Sequence, residues 1–204
     1  MRRSDTGIGY TLETLLELEE NNLKTPDFGD IEIKSQRNAS SNRITMFTFN
    51  RGAWQIKQRE LIEQYGYVDT NGRPSLYCTV NSKPNNQGLY LNVEEESVRL
   101  YHVDNTLIAQ WPGTVLINTF RKKMSALVIV FANSRVNSNQ KEDDAYFLTN
   151  PDEDNFLDLI RKNIVIVEVR MHLKENSSVG NHGTDFRIEE RFLNLCFGNR
   201  ERII

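Results

Sequence analysis

Apolar and charged residues alternate along Asp30-Ile31-Glu32-Ile33-Lys34. That period of two predicts a strand with Ile31 and Ile33 on one face and Asp30, Glu32 and Lys34 on the other. Arg43 to Asn50 alternates too, setting Ile44, Met46 and Thr48 against Thr45, Phe47 and Phe49. The polar stretch 38–42 between the two strands predicts a hairpin. Upstream, Leu12, Leu15, Leu16 and Glu19 recur at helical spacing between the breakers Gly7 and Gly9 and the pair Asn21-Asn22. Glu17 and Glu20 read as a solvated helix face; Glu13 flanks the apolar stripe.

Further along, Leu61, Ile62 and Tyr65 form the packing face of a helical stretch that carries Lys57 and Arg59. Asp69 to Pro74 reads as a turn, Leu76 to Val80 as a strand, and Asn81 to Gly88 as a polar loop bearing Lys83. A meander of three strands is predicted at 89–93, 98–103 and 106–111. Thr114 to Met124 reads as a helix, and its closing cations Arg121-Lys122-Lys123 suit the negative end of the helix dipole. The uninterrupted apolar run Ala126 to Ala132 predicts a strand covered on both faces. Asn150-Pro151 predicts a helix reaching Asn163, by N-cap and first-turn proline chemistry.

Ile164 to Leu173 alternates again, with Val165, Val167, Val169 and Met171 opposed to Glu168, Arg170 and His172. A Ser/Gly loop, 177–183, then delivers His182-Gly183-Thr184-Asp185-Phe186-Arg187. Helices and strands in this alternation predict an α/β (α+β) fold, a central mixed sheet flanked by helices.

Composition narrows this to one domain. A chain of 204 residues with 38% hydrophobic content can bury a full core, so a two-lobed single domain over 1–204 is expected. Met1-Arg2-Arg3 is not followed by an apolar signal core, and the longest apolar run is too short to span a bilayer. A cytoplasmic protein with no membrane partner is expected. Cys78 and Cys196 lie in apolar-patterned segments and read as reduced and buried. His172 and His182 have no further ligand to make a zinc site. A net charge of −3 argues against a generally basic nucleic-acid binder. The distribution changes that picture, because residues 31–90 carry a net +4 and 161–204 a net +2, against −4 over 1–30 and −5 over 91–160.

The densest candidate chemistry lies in PDFGDIEIK. A turn over Pro26-Asp27-Phe28-Gly29 brings the Asp27 carboxylate back toward Glu32. Two carboxylates with Lys34 two residues on make a site for a hard cation such as Mg²⁺, which acts as a Lewis acid on phosphate and lowers the pKa of its bound water. At the other end of the chain, Arg170, His182 and Arg187 gather hydrogen-bonding side chains, arginine donating with both arms of a planar fork and histidine able to donate or accept.

Gly9-x-x-Leu12-Glu13, Pro26-Asp27 and Glu32-Ile33-Lys34, taken together, resemble the restriction endonucleases of the MvaI/BcnI type. These are relatives of the nicking enzyme MutH in the PD-(D/E)xK superfamily. The likeness continues through Arg51-Gly52-Ala53, Tyr65-Gly66 and His182-Gly183-Thr184 followed by Phe186-Arg187-Ile188. It departs at Gly180 and Asn181, where the family carries a histidine and an aspartate, and at Asp185, where the family has a small residue.

The resemblance implies a restriction-endonuclease-like fold with the metal core in 7–50 and recognition from 51–90 and 165–190. It implies catalysis by Glu13, Asp27, Glu32 and Lys34, with Mg²⁺ held by Asp27 and Glu32 and Mn²⁺ able to stand in. It further implies DNA contacts from Arg51, Lys57, Arg59, Lys83, Arg170, His182, Thr184 and Arg187. The expected protein is a monomeric type II enzyme cutting double-stranded DNA at a short, GC-rich, nearly palindromic site, with a DNA methyltransferase as a companion. The alternatives are a MutH-like nicking or repair enzyme and a DNA-binding module without cleavage.

Overall fold

The structure, a computed structural model, describes residues 12, 14, 26–37, 43–49, 53–132 and 144–203. Its strands in chain order are β1 (Ile31–Arg37), β2 (Ile44–Phe49), β3 (Tyr67–Val68), β4 (Pro74–Val80), β5 (Leu89–Glu94), β6 (Ser97–His102), β7 (Leu107–Pro112), β8 (Ala126–Ala132), β9 (Asp144–Pro151), β10 (Val165–Leu173), β11 (Val179–Ile188) and β12 (Phe197–Arg202). Helices α1 (Gln58–Tyr65), α2 (Gly113–Lys123) and α3 (Phe156–Arg161) and a short 3-10 helix (Glu190–Leu195) join them. A mixed α+β fold, rich in sheet, results. No described helix is long and apolar enough to cross a membrane.

The chain divides into two compact units. The first takes Met1–Ile44, Thr119–Glu153 and Glu189–Ile204; the second takes Thr45–Asn118 and Asp154–Ile188. The first unit is built on the sheet β1-β8-β9-β12. Here β1 runs parallel to β8, with Ile31 beside Ala126 and Lys34 beside Ile129, and the other pairings are antiparallel. The hairpin expected between β1 and β2 does not form, since β2 lies beside β11 in the other sheet. A period-two pattern fixes which side chains share a face but not which strand is the neighbour. The apolar run of β8 proves one-sided: Leu127, Ile129 and Phe131 are buried while Val128 and Val130 are only partly covered.

Nor does Asn150-Pro151 start a helix. Both residues finish β9, Pro151 sits opposite Phe197, and α3 begins later, after Asn155. Asn150 adopts φ +59°, a left-handed conformation that asparagine tolerates. The Asn-Pro signal is shared by turns and helix starts, and here the strand pairing with β12 decides between them. Cys196 is buried and Cys78 partly so; burial pushes their thiols up to about 12 and about 11, so neither is a nucleophile at neutral pH.

In the second unit the sheet order is β2-β11-β10-β4-β3, with β10 antiparallel to both neighbours, beside the antiparallel meander β5-β6-β7. The aromatic rings of Phe47, Phe156, Phe186 and Trp111 pack together, Phe47 stacking on Phe186 at 5.1 Å between centroids. Leu61, Ile62 and Tyr65 of α1 are buried, as their spacing predicts. The Ser/Gly stretch is shorter as a loop than expected, because β11 begins at Val179 and already contains His182.

Candidate functional sites

In the first unit, the turn ahead of β1 is closed by two backbone hydrogen bonds. Phe28 N–H donates to the Ile31 carbonyl at 3.0 Å and Ile31 N–H to the Phe28 carbonyl at 2.9 Å. This doubles the chain back, and Asp27 Oδ2 accepts the Ile33 N–H at 2.9 Å. The Asp27 carboxylate is thereby held one residue from Glu32. Glu32 is only 6% exposed, more buried than the isoleucines that flank it. Its two oxygens each meet an ammonium, Oε1 from Lys34 Nζ at 2.8 Å and Oε2 from Lys123 Nζ at 3.1 Å.

Lys123 was not among the expected site residues. Its place follows from topology: Ser125 Oγ donates to the Asp30 carbonyl, and the parallel register puts Ala126 beside Ile31. The end of α2 therefore stands at the start of β1. Its helix-closing position is common to many lysines, and only the pairing of β1 with β8, 95 residues apart in the chain, distinguishes it. Glu13 and Arg51 lie outside the described residues.

The donors suit a hard divalent cation. Glu32 and Asp27 offer carboxylate oxygens of the kind such a cation takes; here the two Glu32 oxygens are held by ammoniums and Asp27 Oδ2 by the Ile33 N–H. Among the described residues no cluster of three or more His, Cys, Asp or Glu occurs. Mg²⁺ is satisfied by one or two carboxylates plus waters and phosphate oxygens.

In the second unit, one face of β4, β10 and β11 collects the polar side chains. Glu168 pairs in register with Asp185. Glu168 Oε2 accepts from Arg187 Nη1, Asp185 Oδ2 lies against Arg170 Nη2, and Thr48 Oγ1 donates to Asp185 Oδ1 at 2.7 Å. Arg187, Glu168, Asp185 and Arg170 thus form a row of alternating charge. Beside Arg170 the ladder is irregular: Val169 pairs with Thr184 and Met171 with Asn181, which leaves His182 and Gly183 opposite one residue. Gly183 takes φ +103° in this bulge. Bulges re-aim side chains, and His182 is left exposed, its ring stacked 5.3 Å from that of His172.

His172 is 8% exposed and its Nδ1 shares a 3.0 Å hydrogen bond with the Tyr77 hydroxyl. Burial first, then the charges of Arg73, His182 and Lys174, hold its pKa below the ordinary histidine value, so the ring is neutral at pH 7. A Cβ at Gly180 would come within 2.6 Å of the ring, so only glycine leaves His172 this place.

The remaining candidates differ in setting. Lys57 and Arg59 lie on the solvent side of α1, paired with Glu60 at 3.5 Å and Glu63 at 2.8 Å. Lys83 is exposed on the loop after β4. Thr184 is only 1% exposed and its Oγ1 has no hydrogen-bond partner. It sits opposite Val169, which is fully buried, so its hydroxyl belongs to the inner side of β11.

Asp27, Glu32 and Lys34 thus stand together around the start of β1, and comparison with known proteins gives the class: a restriction endonuclease. The sequence matches the model of the MvaI/BcnI restriction endonuclease family over residues 1–197, and the chain belongs to that family. It is a site-specific deoxyribonuclease. Among solved structures, restriction endonuclease MvaI in complex with its cognate DNA superposes with a TM-score of 0.79 at 26% identity, covering 100% of this chain and 90% of that one. MvaI without DNA gives 0.59 at 26% identity, covering 98% and 89%. A search of curated proteins gives no match.

Proposed function

We propose that the protein is a cytoplasmic type II enzyme that hydrolyses phosphodiester bonds of double-stranded DNA, with Mg²⁺, at a short, GC-rich, nearly palindromic site. The observation that carries the chemistry is Glu32, a nearly buried carboxylate whose two oxygens draw in two ammoniums. Asp27 and Glu32 would hold the metal, which would supply a Lewis acid for the phosphate and a more acidic water. Lys34 steadies the attacking water and the developing charge, and Glu13 assists from the preceding segment. The Ile33 N–H fixes the Asp27 carboxylate beside β1, which preorganises it for this role.

Recognition belongs to the polar face of β10 and β11. Arg170 and Arg187 read guanine edges, Glu168 suits the amino group of a paired cytosine, and His182 contacts the groove. Thr184 supports this strand from its inner side. Lys57, Arg59, Lys83 and Arg51 serve the phosphate backbone. Basic charge in two separate segments, 31–90 and 161–204, supports a monomer that clamps the duplex, cuts one strand, rebinds and cuts the other. A DNA methyltransferase acting on the same site is its expected companion.

Digestion of a supercoiled plasmid of known sequence with Mg²⁺, followed by mapping of the ends, tests this reading. Discrete sites should appear, open-circle DNA should precede linear product, and EDTA should stop the reaction. Undiminished cutting in excess EDTA would sink the metal mechanism. A stable dimer on one site in sedimentation, with linear product and no nicked intermediate, would overturn the monomer.

A further inference from the structure

Asp185 is the only acid on β11 and is fully buried, a position that disfavours a carboxylate unless it is paired. Its partners come from two neighbouring strands: Thr48 on β2 donates to Oδ1 at 2.7 Å, and Arg170 on β10 meets Oδ2. Glu168 lies opposite it in register and holds Arg187 in turn. The contact with Arg170 is one of charge and is not saturated. Neither Asp185 Oδ2 nor Arg170 Nε has a hydrogen bond of good geometry, although both atoms are buried. Arg170 keeps 41% of its side chain exposed. Buried polar atoms left open in this way are completed by a ligand or by water.

Stability does not explain the carboxylate. Burial pushes the Asp185 carboxyl above the ordinary range; Thr48, Arg170 and Arg187 pull it down and Glu168 adds to the push. The folded protein therefore binds this proton more readily than the unfolded chain does, and the fold loses stability as pH rises through the raised pKa.

We propose that Asp185 is a positioning residue for base recognition: it fixes the guanidinium of Arg170 on the sheet face and neutralises it toward phosphate. Arg170 then finds a full partner only where a base edge offers uncharged acceptors in the plane of its fork, as guanine does. A phosphate approaching the same place meets a carboxylate as well as a guanidinium. This inference rests on the reading of the β10–β11 face as the DNA face.

The test uses the full chain with Ca²⁺ in place of Mg²⁺, and compares binding to the mapped site, to duplexes with one base pair replaced, and to random duplex, over a range of NaCl. Asp185→Asn should lower the preference for the mapped site by about tenfold, the scale of one base contact. It should also strengthen binding to random duplex and steepen its salt dependence by about one counterion. Its melting temperature at neutral pH should equal or exceed that of the parent. In the parent, discrimination should fall as pH is lowered and Asp185 takes up its proton; Asp185→Asn should lack that part of the pH dependence and keep only what His182 contributes. On an Arg170→Ala background, Asp185→Asn should add nothing.

Unchanged discrimination in Asp185→Asn, where Arg170→Ala reduces it, would overturn the inference and leave the DNA face standing. A lower melting temperature with the preference intact would likewise reduce Asp185 to a structural role and overturn it. Full discrimination in Arg170→Ala would instead overturn the reading of the face, and the inference with it.

Discussion

Two clusters of carboxylates and cations, one in each unit, are built from different cations. Around Glu32 the partners are lysines, compact charges on flexible stems that reach one acid from a strand and from a helix end. Along β10 and β11 they are arginines, planar forks held by Glu168 and Asp185 on adjacent strands. Lysine can withdraw from a carboxylate at little geometric cost, whereas a guanidinium keeps its plane and direction. The first cluster suits a site where a cation must enter and ammoniums must move. The second suits a surface where an angle carries information.

The comparison breaks most sharply at Glu32. Glu32→Ala, Asp27→Ala and Lys34→Ala should each lower cleavage by about a hundred- to a thousandfold, the range for losing one preorganised electrostatic group. DNA binding in Ca²⁺ should persist in each. Full cutting by Glu32→Ala would remove the metal centre. Next comes the arginine row: Arg187→Ala should reduce discrimination by roughly 1–3 kcal/mol at particular base pairs, read in a randomised-site cleavage assay. An unaltered preference would strike Arg187 from the readers.

Lys123→Met should have a smaller effect, and one that depends on metal. With EDTA present it should lower stability by about 1–2 kcal/mol, because a partly buried charged hydrogen bond is lost. With saturating Mg²⁺ the deficit should shrink, since the metal replaces the missing charge. A deficit equal in both conditions would show that the lysine is not exchangeable. The smallest effect is expected on α1, where Lys57→Ala and Arg59→Ala should each flatten the salt dependence of binding by about one counterion and weaken all sequences alike. Sequence-selective loss would place these residues among the readers.

Local pattern made parts of both clusters legible. The alternation in Asp30 to Lys34 puts Glu32 and Lys34 on one face, and the short turn at Pro26 to Gly29 explains how Asp27 returns to the strand. Glu168, Arg170 and His172 follow from alternation in β10 in the same way. What could not be read depends on pairing between distant segments. Lys123 reaches Glu32 only because β8 is parallel to β1, and Asp185 meets Thr48 only because β2 joins β11. The bulge at His182-Gly183 was hidden because one extra residue in a strand leaves composition and periodicity almost unchanged. The helix expected at Asn150 failed for a related reason, since its alternative was a strand partner some 46 residues further on.

The parallel pairing of β1 with β8 also sets an order of events during synthesis. Glu32 and Lys34 leave the ribosome early, but the strand beside them and the lysine on Glu32 Oε2 follow about ninety residues later. At roughly 5–20 residues per second that is a wait on the order of ten seconds. Through that interval the nascent β1 has no β8 to pair with, and Glu32 lacks its second counter-charge. The strand at the opposite edge of the sheet, β12, arrives later still. Assembly of the Glu32 cluster is therefore a late step in the life of each new chain, coming after the segment Thr45–Asn118 of the other unit has been made.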